Sequence, residues 1–349
     1  MVQEIRSAEG GPLVSVIIVN WNGKHLLEDC LGSLMAQTWS EREVILVDNG
    51  SSDGSVEYVT ERYPEVRVVR LGKNRGFAGG NNAGMGLASG KYVALINNDT
   101  KADPEWLSRL VETAEASSPS TGMWASKILV YDRPTIIDNV GLLLYRDGLG
   151  RGKGRGEDDN GRFDLAGEAF FPSGCAAMYR LTMIREIGMF DDEFFAYADD
   201  VDLGLRARLS GWGCRYVPTA RVYHKYSASS SAYSPFKAFL VERNRIWVLM
   251  KYFPLELVLI SPYYTIKRMA FHFYGALRGR GASGKFTEQH SFFAAIGILM
   301  KAWAAALLAL PKIVRQRRSF SRIRRLPRAE LYRLFRAFGI SAREIALKE

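Results

Sequence analysis

An α/β fold, with a doubly wound, mostly parallel open sheet followed by a helical, basic C-terminal region, is predicted by this 349-residue sequence. Two observations carry the prediction. Four short β-rich runs, residues 14–19, 43–47, 66–71 and 91–96, are each nearly continuously apolar, as strands buried on both faces are. Charge is also divided: residues 251–349 hold 19 Lys/Arg against 5 Asp/Glu, and residues 1–250 hold 28 against 32, within a total net charge of +10. A near-neutral domain over residues 1–250 and a basic region over 251–349 are therefore expected.

Between the first two runs, Leu26, Leu27, Cys30, Leu31 and Leu34 recur at helical spacing, and after the second Asp53 is placed to cap a helix. The unit is βαβαβαβ. Such sheets bind ligands beyond the carboxyl ends of their strands, and the residues there are polar in every case. Strand one ends in Asn20-Trp21-Asn22-Gly23 and strand two in Asp48-Asn49-Gly50-Ser51-Ser52-Asp53; strand three leads to Asn74-Arg75-Gly76-Phe77 and strand four to Asn97-Asn98-Asp99. This is a nucleotide-sized rim. It lacks both the G-x-G-x-x-G of dinucleotide sites and the P-loop, so a nicotinamide enzyme is not expected and a divalent metal, Mn²⁺ or Mg²⁺, is the simplest way to handle phosphate. Asp99 is the candidate ligand. Its plainer alternative is to cap a segment starting near Asp103-Pro104.

In the stretch 194–206, Asp199, Asp200 and Asp202 precede the apolar positions Leu203, Leu205 and Trp212. They fall in the first turn of a helix, where the dipole favours the ionised form. Capping uses one carboxylate and leaves the others for general-base work. His224 closes another β-like run after Val217, Val222 and Tyr223, where a neutral imidazole would complete a metal site; a structural histidine is the alternative.

The basic region contains an apolar run, 292–310, interrupted only by Lys301 and followed by Pro311, Arg315, Arg317, Arg318, Arg322, Arg324 and Arg325. That composition favours an anionic membrane surface over nucleic acid, whose recognition signatures are missing. A second run, 255–266, ends at Lys267-Arg268 and is short for a span. Both are expected to lie in the interface with snorkelling cations, or else to be core helices of a C-terminal subdomain. Cys30, Cys175 and Cys214 form no C-x-x-C pair, which excludes a disulfide framework or thiolate zinc site and fits a reducing compartment. No signal peptide is expected from the polar start and six-residue first apolar run. The expected location is the cytoplasmic face of the inner membrane.

The stretches VSVIIVNWNG, VILVDNGSSDGS, NRGFAGGNNAG, YVALINNDT, FFPSGCAAMYR, IGMFDDEFFAYADDVDLGLRARLSGW and VYHKYSAS, in this order over residues 13–250, resemble glycosyltransferase family 2. Its members are inverting GT-A enzymes with a Rossmann-like sheet, and the resemblance is to bacterial rhamnosyltransferase-like members. The resemblance implies that Trp21 lies against the nucleobase, with Val19, Asn20, Asn22, Asp48, Asn49 and Asp53 around base and ribose. It places Asn74 to Asn82, including Gly76, Phe77 and Asn81, under the donor, and Asn97 and Asn98 near ribose or metal. Asp99 matches the last position of the Asp-x-Asp element, Asp200 the base of an acidic pair with Asp199, and His224 the late histidine at metal or diphosphate. Asp202 is a secondary catalytic candidate. Two positions depart from the pattern: Asn97 replaces the first acid of Asp-x-Asp, and Asp199 replaces a glutamate.

Gly174, Cys175, Phe190 and Asp191 are expected on the acceptor side, with the glycine-rich stretch 151–161 as a flexible loop that closes over substrate or is simply exposed. The implied reaction is inverting transfer of a sugar, L-rhamnose by family resemblance, from a dTDP- or UDP-linked donor to a polyprenyl-diphosphate-linked or polysaccharide acceptor. A non-catalytic nucleotide-sugar-binding scaffold is the alternative that Asn97 permits. A sugar nucleotidyltransferase would need a glycine-rich, Arg-containing loop after strand one.

Overall fold

Four parallel strands form the expected βαβαβαβ unit in the order β3-β2-β1-β4: β1 (Val14–Asn20), β2 (Arg42–Asp48), β3 (Arg67–Arg70) and β4 (Tyr92–Ile96). They are joined by α1 (Leu27–Met35), α2 (Ser55–Arg62) and α3 (Gly76–Met85). The computed structural model describes residues 13–225, 234–279, 281, 284–286 and 290–348; expectations for the N-terminal segment and for residues 226–229 fall outside these. Val14, Val16 and Ile18 of β1 pack with Leu27, Leu31 and Leu34 on one face of the sheet, and Ile17 packs with Ala78 and Met85 on the other. Burial on both faces explains the continuous apolar runs of β1, β2 and β4, each fully buried large side chain contributing roughly 1.5–3 kcal/mol. Strand β3, expected from the run 66–71 to be buried likewise, is instead the sheet edge, with Arg67 and Arg70 exposed and Val68 and Val69 half-buried. Helix α3 lies close to the sheet because it is rich in glycine: a Cβ at Gly80 would stand 2.6 Å from Val19 Cγ1.

After β4 come β5 (Thr100–Ala102), α4 (Trp106–Glu115), β6 (Thr121–Val130), β7 (Arg133–Asn139), β8 (Leu142–Leu144), β9 (Gly150–Gly152), β10 (Gly167–Glu168), β11 (Ala176–Arg180), α5 (Leu181–Ile187), α6 (Asp199–Leu209) and β12 (Gly213–His224). Strand β11 inserts antiparallel between β4 and β6, and β12 runs parallel to β6. The sheet order is β10-β12-β6-β11-β4-β1-β2-β3. This second half brings His224 beside the carboxyl end of β4, since β12 also pairs with β5 just after Asp99.

The glycine-rich stretch is not the free loop expected from its composition. Strand β9 pairs with β8, and Gly154 and Gly156 take left-handed turns with φ of 77° and 72°. The fully buried Lys127 donates to Asp159 Oδ1 and Oδ2 at 2.8 and 2.9 Å and to Asp164 Oδ1 at 2.5 Å. A buried ammonium needs such partners, and they anchor the segment.

The C-terminal region is built of α7 (Pro235–Tyr252), α8 (Leu255–Leu277), α9 (Phe292–Leu308), α10 (Leu310–Ser321), α11 (Arg328–Ala337) and α12 (Ala342–Leu347). Residue 250 lies inside α7, and Val248 and Leu249 share one apolar cluster with Leu203 and Leu205 and with Ile313, Phe320, Leu331 and Leu334. The two regions are thus fused through a common core.

Helix α8 continues past Lys267-Arg268 to 23 residues because Arg268 turns inward, donating to Asp147 Oδ2 at 2.7 Å and Glu242 Oε2 at 3.0 Å. Trp303 of α9 donates to the same glutamate at 2.8 Å. A buried ionic cluster therefore ties α8 and α9 to α7 and to the β8–β9 turn. The outward faces of these helices remain apolar, with Leu259, Tyr263, Ile266, Met300, Leu307 and Leu308 all exposed. Among the described residues no single helix is long and apolar enough to cross a membrane; Phe293–Leu308 and Leu310–Ser321 suffice only as a pair bent by 57°, at the approach to Pro311.

Candidate active site

The strand ends converge as the sequence predicts. Trp21 stands 47% exposed at the rim, open to stacking by a planar base. Beneath it, buried Asn98 donates to Asn20 Oδ1 at 2.7 Å, and Asn20 Nδ2 reaches Ser51 Oγ at 3.4 Å. Both oxygens of Asp48 accept from the Ser51 backbone N–H, at 3.3 and 3.2 Å, and Asn22 Oδ1 accepts from Ser52 N–H at 2.8 Å. Asp53 accepts from the backbone of Lys24 and Ser55, stapling the rim loops together from one residue ahead of the α2 N-cap. Val19 packs against α3.

Several expected donor contacts are instead positioning groups. Asn49 is spent inside the protein: its Nδ2 donates to Asn74 Oδ1 and the Gly76 carbonyl, and its Oδ1 accepts from Arg75 N–H. Asn81 donates to the Phe77 carbonyl one helical turn back. Gly76 has φ of 72° and a Cβ there would lie 2.2 Å from the Phe195 carbonyl oxygen, so glycine is required where α3 meets the loop that precedes α6. Asn97, at the departed acid, uses its backbone to meet Cys175 and Thr100, while its side chain forms no hydrogen bond among the described residues.

Asp99 does not cap a helix. Its Oδ1 is buried without a hydrogen-bond partner among the described residues, and His224 Nε2 stands 3.4 Å from it. On the far side of the ring, Nδ1 lies 2.9 Å from Asp138 Oδ2, an orientation that directs Nε2 toward Asp99. Burial opposes a charged imidazole, but Cys175, Asp138 and Asp99 outweigh it and hold the His224 pKa well above its ordinary value. The orphaned carboxylate oxygen and the oriented imidazole fit a divalent cation once Nε2 gives up its proton to it. Among the described residues no cluster of three or more His, Cys, Asp or Glu encloses one, so the other positions would fall to substrate oxygens or water, as at many Mg²⁺ and Mn²⁺ sites.

The acidic pair opens α6 as expected. Asp200 Oδ2 accepts from Gly174 N–H at 3.1 Å and Oδ1 from Val201 N–H at 2.8 Å; Asp199 Oδ1 accepts from Asp200 N–H at 3.1 Å, and its Oδ2 is buried without a partner among the described residues. Burial pushes Asp200 up, with the backbone donors partly offsetting it. Burial and then the charge of Asp200 push Asp199 well up. Both carboxyls are thus raised, Asp199 further than Asp200, so Asp199 holds a proton more readily and Asp200 is the member better placed to act as the carboxylate. Adjacent residues link this pair to the metal candidates: Gly174 holds Asp200, and Cys175 accepts from Asn97 N–H at 2.9 Å and lies beside His224.

A stability consequence follows from Asp199. Its folded pKa exceeds the unfolded value, so the folded state binds the extra proton, and its contribution is most favourable at low pH and is lost as pH rises. Asp199→Asn removes that loss. Its Tm should exceed that of the wild type near pH 8, and the gap should close as pH falls toward about 4; a gap independent of pH would contradict the protonation assigned here.

The loop before α6 carries backbone strain. Phe195, Tyr197 and Ala198 have φ of 64°, 66° and 59°, each costing about 1–3 kcal/mol outside glycine. Asn244 of α7, fully buried, holds them: its Nδ2 donates to the carbonyls of Phe194, Ala196 and Tyr197 at 3.0, 2.9 and 2.7 Å. Sequence reasoning missed both Asn244 and Asp138. An Asn between arginines reads as a solvated helix face, although the acid ending the apolar Ile136-Ile137 pair was a visible signal for Asp138.

Three expected site residues are committed elsewhere. Asp202 is fully buried among Lys251 Nζ at 2.5 Å, Tyr252 OH at 2.7 Å and Arg206 Nε at 3.0 Å, which leaves it no access to substrate. Asp191 pairs with Lys251 at 3.1 Å and Gln316 at 2.8 Å; burial raises its pKa, but Lys251 outweighs that and holds it low. Phe190 is buried against Phe77 with ring centroids 5.7 Å apart. The Cys175 thiol is also buried. Of the acceptor candidates, Gly174 alone is hydrogen-bonded to Asp200.

Comparison with known proteins agrees with this geometry. The family model for glycosyl transferase family 2 matches residues 15–188. The chain is 32% identical over 241 residues to an uncharacterized protein of Sinorhizobium fredii, a match covering 63% of this chain and 25% of that one, so it spans about a quarter of that relative's length. It is 29% identical over 252 residues to the N-acetylglucosaminyl-diphospho-decaprenol L-rhamnosyltransferase of Mycobacterium tuberculosis, covering 64% of this chain and 79% of that enzyme. A crystal structure of GalNAc-T7 with UDP, GalNAc and Mn²⁺ shares the fold, with a TM-score of 0.58 at 18% identity over 83% of this chain and 56% of that one. The motifs, the rim at the strand ends and the matched span together place this chain, with its GT-A-like sheet, in glycosyl transferase family 2.

Proposed function

We propose that the chain transfers a sugar, with inversion, from a dTDP- or UDP-linked donor to a polyprenyl-diphosphate-linked or polysaccharide acceptor in cell-envelope glycan synthesis. L-rhamnose is the first choice of sugar, on the strength of the named activity of the mycobacterial relative. The observation that carries the proposal is the Asp199–Asp200 pair at the start of α6, with Asp200 held by the Gly174 and Val201 N–H groups and Gly174-Cys175 leading to Asp99 and His224.

In this account Trp21 stacks on the base and the Asn20–Asn98–Ser51 contacts hold the rim in shape. Asp99 and His224 would hold Mn²⁺ or Mg²⁺, which when bound supplies positive charge for the departing diphosphate. Asp200 accepts the proton of the acceptor hydroxyl as that oxygen bonds to the anomeric carbon opposite the diphosphate, whose bond to the sugar breaks. The Gly174 and Val201 N–H groups and the start of α6 keep Asp200 aimed and ionised. Asp199 remains a neutral neighbour.

The exposed apolar faces of α8 and α9 and the excess of basic residues beyond residue 250 support a protein lying on the cytoplasmic face of an anionic membrane rather than crossing it. Removing the C-terminal helices is a poor test of this, because Ile313, Phe320 and Leu331 belong to the catalytic core.

The function is tested by nucleoside-diphosphate release from a panel of dTDP- and UDP-sugars with Mn²⁺ or Mg²⁺, with and without membrane lipid extract. Lipid-stimulated release from one donor is expected. Measurable nucleotide binding with no release from any donor would favour a sugar-nucleotide-binding scaffold.

A further inference from the structure

We propose that the cavity between the β8–β9 turn, α8 and α12 binds the phosphate headgroup of an anionic membrane phospholipid, held by Arg146, Lys267 and Arg343; the proposal rests on the membrane-associated reading above. The cavity has a volume of about 420 Å³, and its lining includes those three cations and no carboxylate. That size suits a small-molecule headgroup.

The cations have been left available. Among the described residues none of the three forms an ion pair, whereas Arg268, on the same helix as Lys267, is enclosed by Asp147 and Glu242. Asp147, next to Arg146 in sequence, is fully buried and occupied by Arg268 and Arg245, and Glu344, next to Arg343, is engaged by the N–H and hydroxyl of Ser341 and by Lys348. Arg146 is held in place by stacking 5.2 Å over the Tyr264 ring and by donating to that tyrosine's hydroxyl. Tyr145 in turn donates to the Tyr264 carbonyl at 3.1 Å. A phosphate would therefore meet one guanidinium already held in place, with Lys267 and Arg343 beside it on the cavity wall.

What favours a lipid phosphate over a soluble one is the surface beside the cavity. Leu255, Leu259, Tyr263, Ile266 and Leu277 share one face of α8 and are exposed by 65, 81, 58, 70 and 70%, with spacings that keep them in one stripe. Tyr263 belongs to both the stripe and the cavity wall. Inserted into a bilayer boundary, the stripe would set the cations and tyrosines at headgroup depth, where such side chains concentrate. A free phosphate has no use for the stripe.

The test compares sedimentation of the full chain with phosphatidylcholine vesicles and with vesicles that also contain phosphatidylglycerol. The variant Arg146→Gln/Lys267→Gln/Arg343→Gln should bind the anionic vesicles roughly 100-fold less tightly than wild type, at about fivefold per cation, and neutral vesicles equally well. A variant with the same loss of charge on α10 and its C-cap, Arg315→Gln/Arg318→Gln/Arg322→Gln, should lose less than about tenfold. Equal losses in both variants, or an anionic preference untouched by the first, would overturn the site. Wild type that binds neither vesicle would overturn both the site and the membrane reading, while donor-dependent nucleoside-diphosphate release by the same preparation reports separately on the transferase.

Discussion

Asp200→Asn should lower transfer by about 10²–10⁴-fold, the usual share of a general base, and leave nucleoside-diphosphate binding unchanged. The amide keeps the size of the side chain and one acceptor oxygen for the Gly174 and Val201 N–H groups, which now meet at Asp200, but it cannot take a proton. The pH profile gives a second readout. Because burial raises the Asp200 pKa, wild-type kcat/KM should fall on acidification at a higher pH than an ordinary carboxylate would produce, and the variant's remaining activity should lack that limb. Near-native transfer in the variant would remove Asp200 from its role. Parallel loss of nucleotide binding would mean that the side chain only supports the fold.

Asn244→Ala should lower kcat by roughly 10²-fold, the scale expected when catalytic groups shift by about an ångström, with a smaller change in donor KM. The side chain touches no substrate and acts through the loop it holds. Its single amide nitrogen serves three carbonyls of the segment that delivers Asp199 and Asp200, and alanine releases three residues with left-handed backbones. A loosened loop admits water to the pair, so the acidic limb should move toward the ordinary carboxylate range. Asn244→Asp, which sets a carboxylate against three carbonyl oxygens, should be worse than alanine. Full turnover with an unmoved limb in Asn244→Ala would show that the strained loop holds itself.

The parts of the protein legible in its sequence are those with local causes. Strands β1, β2 and β4 announce themselves because each is largely buried on both faces, whereas β3, at the sheet edge, exposes Arg67 and Arg70; the polar residues at the strand ends follow in the chain. Asp199 and Asp200 could be placed in the first turn of α6 because the apolar residues that follow set its phase. What escaped depends on distant partners. Asp202 looks equivalent to Asp200 until Lys251, Tyr252 and Arg206 are seen around it. Arg268 looks like the end of a helix until Asp147 and Glu242 draw it inward, and the glycine-rich stretch looks mobile until Lys127 is found beneath it. Asn244 and Asp138 enter the site from elements 47 and 86 residues away from their partners Tyr197 and His224, a separation that no local pattern encodes.

Whether Asp200 drives a single displacement at the anomeric carbon is decided by the stereochemistry of the product. The linkage formed from the donor identified by nucleoside-diphosphate release can be assigned by NMR and compared with the anomeric configuration of that donor. Inversion is the predicted result. Retention would contradict the account, because it requires a path other than direct attack by the acceptor oxygen with Asp200 as its base.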